Sequence, residues 1–254
     1  MESVLEHRLR SFVWFLVVFI NPMLYILFWK GVPQNVEIVP GWDVAAINGY
    51  YLLMVAAQAT LISHIEEDVS YYDIQQGELD KYLVKPFSYY KIKMIEELPY
   101  RLLQGAFAAI AVIFLFSILK ANIAIHLTLQ SVLFGIVTAI LAFFLSHVYK
   151  MSLGLLAFWF TDIKGVLDLL DAIRIVLAGV FMPLILYPDA LRKVADVLPF
   201  AYSLYYPIVV FQGQTTFTES IRIIAMQCIW FAILYCIYRI LWKKGMETFT
   251  GVGK

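Results

Sequence analysis

The run SFVWFLVVFINPMLYILFW, residues 11–29, holds nineteen residues without a single charge, and apolar blocks of comparable length recur along the rest of the chain. Such a run crosses a hydrocarbon core of about 30 Å only as a helix. In that medium every backbone N–H and C=O has to be paired internally, so the blocks predict a bundle of membrane-spanning helices. With 62% hydrophobic residues the chain is far from a soluble composition, which lies at roughly 45–50%. A cleaved signal peptide does not fit the first block: the run is too long, no small-residue cleavage site follows, and further spans come after it. Asn21-Pro22 in its middle predicts a kinked helix whose freed carbonyl faces the protein.

The expected architecture is a single all-α polytopic membrane domain over 1–254, with spans at about 11–29, 44–65, 100–119, 126–149, 166–187 and 221–242. Trp29 and Trp42 bracket the loop containing Pro33, Pro40 and Gly41 at the level of an aromatic belt. The segment KIKMIEELPYR reads as an amphipathic helix on the membrane surface. Its Ile92, Ile95 and Leu98 oppose Lys91, Lys93, Glu96 and Glu97, and Pro99 bends the chain into the third span. The fourth block has two readings. Either the span ends near Tyr149, with Tyr149-Lys150 snorkelling at the boundary and an interfacial helix following, or one long kinked helix runs to Phe160; the first is favoured. Residues Phe200 to Phe211 are apolar but reach only about 18 Å as a helix, so they dip into the membrane and return.

Position matters more than amount for the charges. The formal net charge is zero, which leaves no basic field for nucleic acid. With the N-terminus inside, fourteen of the 19 Lys and Arg fall on the cytoplasmic side, and five (Lys30, Lys120, Arg192, Lys193, Arg222) fall outside. That excess and an even number of spans put both termini in the cytoplasm. Asp171 and Arg174, three residues apart at the start of the fifth span, can pair on one face, and with Asp168 they are candidates for the inner mouth of a pathway. Gln58, Gln104, Gln130 and Gln227 are isolated in apolar blocks, where interhelical hydrogen bonding is their expected role.

Several chemistries find no support. His64 and Glu66 in HIEED lack the second metal-binding histidine, since position 68 is Asp. Cys228 and Cys236 are too far apart on one helix for a disulfide. The four histidines are scattered, so neither a catalytic site nor a metal site is assigned, and Thr248 stands where a phosphate-binding loop ending at Gly253-Lys254 needs glycine. An ion-coupled transporter is the alternative to the reading below, with a membrane enzyme further behind; the paired broken repeats expected of the former are not found.

The longest polar stretch, DVSYYDIQQGELDKYLVKP at residues 68–86, has Gly77 as a breaker and Pro86 as a terminator. Its wording resembles the loop between the second and third spans of ABC-2-type exporter permeases. Residues 157–214, with FWFTDIKG, AGVFMPLILYP and PFAYSLYYPIVVFQG, resemble the same six-span branch. The resemblance implies a coupling helix at Asp73, Gly77, Glu78, Leu79, Asp80, Leu83, Lys85 and Pro86 that docks on a separate ABC ATPase; Leu79 and Leu83, i and i+4 on one helical face, are then its expected apolar anchors. It implies an external re-entrant hairpin between spans 5 and 6, whose Pro199, Phe200, Tyr202, Tyr205, Tyr206 and Pro207 act as a gate. It further implies a second permease chain, identical or related, no cofactor in this chain, and ATP with Mg in the partner. A drug, toxin or lipid would leave through a bacterial or archaeal cytoplasmic membrane, with membrane lipids around the complex.

Overall fold

The computed structural model describes residues 24, 25, 27–29, 31–33, 37–119 and 123–249. Most of the expected first span lies outside these residues, as do the charges at 8, 10, 30, 120 and 254 used in the topology count. A short antiparallel hairpin, β1 (Glu37–Val39) and β2 (Trp42–Asp43), occupies the loop after the first block. Asp43 then caps helix α1 (Val44–Leu61), accepting from the Ala46 N–H at 2.7 Å.

A π-helical segment, Asp68–Gln75, and the one-turn helix α2 (Asp80–Leu83) form the polar stretch, and Gly77 turns between them at φ 77°. That left-handed conformation is the reason a glycine stands there. Next come α3 (Tyr89–Leu119), α4 (Leu129–Gly154) with a 3₁₀ extension over Leu155–Phe158, and α5 (Lys164–Leu177). The short α6 (Asp189–Val197), α7 (Pro199–Ser203) and α8 (Tyr205–Phe211) precede the long α9 (Phe217–Thr248).

Among the described residues four helices are long and apolar enough to cross a membrane: α1, α3, α4 with its extension, and α9. Helix α5 ends at Leu177 rather than at residue 187; its 14 residues reach about 21 Å. Gly179, at φ 77°, carries the chain out of it. The outer half of this segment is a 3₁₀ turn at Leu184–Leu186 followed by α6 to α8.

Two expectations fail for a shared physical reason. The surface helix and third span are one helix, running through Pro99, and its buried residues include Tyr89, Ile92, Lys93, Glu97, Arg101, Ala108 and Ala111. Ile95, Leu98, Leu102, Phe107 and Ile110 face outward. The surface reading turned Lys93 and Glu97 to water; both are instead buried against the protein, as charges within a membrane helix usually are, while Lys91 and Glu96 stay exposed. Likewise Lys150 does not snorkel: it is 2% exposed inside a helix that continues past the favoured boundary at Tyr149 to Phe158. Helix α9 follows the same rule, with Ser220, Gln227 and Tyr238 turned inward and Ile229, Ile233 and Ile237 outward. Cys228 and Cys236 are free and exposed on it.

Candidate functional site

The polar loop is seated on the helices through buried charge. Asp73, itself buried, accepts from the Tyr89 hydroxyl at 2.5 Å and pairs with Lys93 Nζ at 2.6 Å. Lys93 also sits 4.4 Å above the Tyr82 ring, so a cation from α3 is enclosed by the loop. Gln75 Nε2 donates to the Thr161 carbonyl at 2.7 Å, fastening the loop to the connection between α4 and α5. Leu79 is 0% exposed within an apolar cluster that includes Val69, Ile74 and Tyr89. It therefore holds the loop to its own chain and is not free to anchor a partner, which corrects the paired-anchor expectation. Leu83 remains at 42%, with Val84 at 83% and Phe87 at 68% beside it. Glu78 and Lys81 pair at the surface at 2.8 Å; Asp80, Lys85 and Pro86 are exposed.

Beneath the loop lies a layer of buried ions drawn from four segments. Glu97 on α3 accepts from Ser63 Oγ at 2.6 Å, from the His64 N–H at 3.1 Å and from Arg101 Nε at 3.0 Å, and bonds His147 Nδ1 at 2.8 Å. Ser63 and His147 meet on the carboxylate rather than on each other, so this is not an activated serine nucleophile. Lys150 donates to Glu66 and, at 2.9 Å, to Asp171 Oδ1. Burial pushes the Glu66 carboxyl up from its ordinary value, against the pull of Lys150. Arg174 grips Asp171 through Nε at 2.8 Å and Nη2 at 3.2 Å. The expected Asp171–Arg174 pair is thus present and extended by Lys150, while Asp168 is exposed on α5 outside it.

Sequence reasoning missed Glu97, Arg101, His147, Lys150 and the Asp73–Lys93 pair. The available signal was spacing: Lys93, Glu97 and Arg101 recur every four residues and so share one helical face.

At the opposite end the fastenings are hydrogen bonds from neutral donors rather than ion pairs. Tyr50 donates to the Gly179 carbonyl at 2.7 Å and Tyr51 to that of Phe181 at 2.8 Å. Gln212 Nε2 donates to the carbonyls of Ala46 (2.6 Å) and Ala124 (3.1 Å). Gln227 crosslinks three helices through the Thr138 and Tyr202 carbonyls, both at 2.9 Å, as expected of a lone buried amide. Gln104 instead accepts from Arg101 within its own helix, and Gln130 is exposed. Of the expected gate residues, Tyr202 and Tyr206 stack at 4.6 Å and both hydroxyls bond Asp196. Phe200 meets Tyr149 edge-on at 5.5 Å, Tyr205 lies 5.9 Å from Tyr50, and Pro199 and Pro207 are buried.

The loop is thus fastened to the spans by buried ions on one side and presents an apolar rim on the other. Residues 19–253 match the family model described as ABC-2 family transporter protein. The chain belongs to that family. No curated protein and no solved structure matches it. As an ABC-2 chain it is the multi-pass membrane permease of an ABC transporter, and membership implies association with an ABC ATPase subunit. The two stretches that carried the resemblance, 68–86 and 157–214, fall within the matched residues.

Proposed function

We propose that this ABC-2 permease is the membrane half of an ATP-driven exporter of an amphiphilic or hydrophobic substrate. ATP and Mg are handled by a partner ATPase, and a second permease chain completes the path. In this reading the chain has six spans with α5 as the inner part of the fifth, α6 to α8 form the external re-entrant segment, and the loop and both termini are cytoplasmic. The observation that carries it is the two-sidedness of the loop: Asp73 and Leu79 are buried against the spans, whereas Leu83, Val84 and Phe87 are exposed, as are Tyr71 and Tyr72. An apolar rim of this kind fits a groove on a soluble partner. Movement of the rim is passed by Asp73 to Lys93 on α3, and from the neighbouring Glu97 and Lys150 to α4 and α5, as a small rigid-body shift.

The test is co-purification of the ATPase with the permease. Leu83→Asp with Val84→Asp should reduce it at least tenfold, because desolvating a carboxylate costs well over the ~1.4 kcal/mol that equals a factor of ten. Membrane abundance of the permease should not change. Retention of the ATPase by that variant, with loss of it on Lys81→Glu, would refute docking through the rim. Orientation is tested after Cys228 and Cys236 are replaced by Ser. Impermeant labelling of intact cells should mark Lys193→Cys and leave Gln76→Cys unmarked; the reverse pattern would exclude export by this arrangement.

A further inference from the structure

Helix α9 changes character where it reaches the loop end of the bundle. Along its length the outward side is apolar, with Ile229, Ile233, Ile237 and Ile240 exposed. Directly after this stripe, Arg239, Trp242, Lys243 and Met246 fall on one face and, with Ile240 and Glu247, line an open groove of about 650 Å³. Two exposed cations there face one carboxylate. An apolar stripe that gives way to Arg, Lys and Trp marks the depth at which lipid phosphates lie. Trp242 is held in place by stacking on Tyr89, centroids 4.9 Å apart and planes within 15°. Tyr89 in turn donates to Asp73 of the loop.

We propose that this groove binds the phosphate headgroup of an anionic phospholipid in the leaflet nearest the loop, with the acyl chains along the isoleucine stripe. The excess of positive charge selects an anionic over a zwitterionic headgroup. The apolar continuation selects a lipid over free phosphate, because only a lipid uses both halves of the surface. Trp242 and Tyr89 join this lipid to Asp73, so its occupancy bears on the seat of the loop as well as on the outer face of α9.

Native mass spectrometry of the detergent-purified full chain with phosphatidylglycerol and phosphatidylcholine tests this. The wild type should retain phosphatidylglycerol preferentially, and Arg239→Ala and Lys243→Ala should each weaken retention about fivefold, the worth of one basic residue beside an anionic surface. Lys244→Ala removes a neighbouring exposed charge that does not line the groove, and should leave retention unchanged. Equal retention of both lipids by the wild type, or equal loss in Lys244→Ala, would overturn the site. So would displacement of the lipid by millimolar inorganic phosphate, which would mark a free-anion site. A second readout uses the wild type: phosphatidylglycerol brominated on its acyl chains should quench tryptophan fluorescence more than brominated phosphatidylcholine, and Trp242→Phe should abolish the difference. Equal quenching by the two lipids would also overturn the proposal.

Discussion

The two ends of this bundle are fastened by different chemistry. At the loop end, Asp73, Glu66 and Glu97 meet Lys93, Lys150 and Arg101 in buried pairs, and the half-buried Asp171 meets the buried Lys150 and Arg174. At the other end, Tyr50, Tyr51, Gln212 and Gln227 donate from neutral groups to backbone carbonyls. A buried charge is costly unless matched, so the ionic end consists of elements that depend on one another. A neutral bond to a carbonyl contributes roughly 0.5–1.5 kcal/mol and can be lost singly. The neutral bonds tie down irregular backbone such as 178–187, where carbonyls freed by the end of α5 need donors. The ionic ones tie the loop to the spans, where a displacement of one member has to be followed by the others.

The largest effect is expected at Glu97. Replacing it with Ala leaves Arg101 and His147 unmatched and the Ser63 hydroxyl without its acceptor, and should cost about 3–5 kcal/mol. Thermal unfolding of the detergent-solubilised permease measures this. A loss no greater than that of a Tyr50→Phe variant would erase the distinction between the two ends.

Next comes Arg174. Removing it strands part of the charge on Asp171, although Lys150 still supports that carboxylate at 2.9 Å. The expected loss is therefore smaller, about 2–3 kcal/mol. Asp171→Ala with Arg174→Ala should be less destabilised than Arg174→Ala by at least ~0.5 kcal/mol, the signature of coupled neighbours. Strict additivity would mean that pairing is not why the two residues are there.

At the neutral end, Tyr50→Phe removes one hydrogen bond and leaves the Gly179 carbonyl buried without that donor. The expected cost is about 1–2 kcal/mol. Gln227→Leu loses two such bonds, which places it somewhat higher, still below Glu97→Ala. If either neutral variant failed to accumulate in the membrane while Arg174→Ala did so normally, the ranking of the two ends would have to be inverted.

How much of this was legible follows from the same contrast. The apolar blocks located α1, α4 and α9, because a bilayer demands length and composition that sequence displays directly. The Asp171–Arg174 pair was visible from local spacing, and Gly77 from its role as a breaker. The partners of Glu97 were not, since Ser63 and His147 lie 34 and 50 residues away and only the packing of α1, α3 and α4 brings them together. Leu79 and Leu83 looked equivalent at i and i+4. The chain turns at Gly77 and buries the first against Val69 and Ile74, and one helix turn alone could not reveal that. Helix α3 was misread because its periodicity did not say whether Lys93 and Glu97 meet water or buried partners on other helices.

The smallest effect belongs to Asp168, and it sharpens the comparison by what it lacks. It shares helix α5 with Asp171, one turn earlier, and carries the same charge, yet it is exposed, and no ion pair or hydrogen bond to another described residue engages it. An exposed carboxylate keeps its hydration, so its removal neither strands a partner nor relieves a penalty. Asp168→Ala should change thermal stability by no more than about 0.5 kcal/mol. Asp171→Ala, which leaves Lys150 and Arg174 short of a carboxylate, should exceed that severalfold in the same assay. Equal losses for the two aspartates would show that charge near the loop end matters irrespective of pairing, and the account of a matched buried layer would then fail. A near-zero stability effect at Asp168 combined with lost transport would assign that residue to the pathway surface instead, a role that burial denies to its neighbour Arg174.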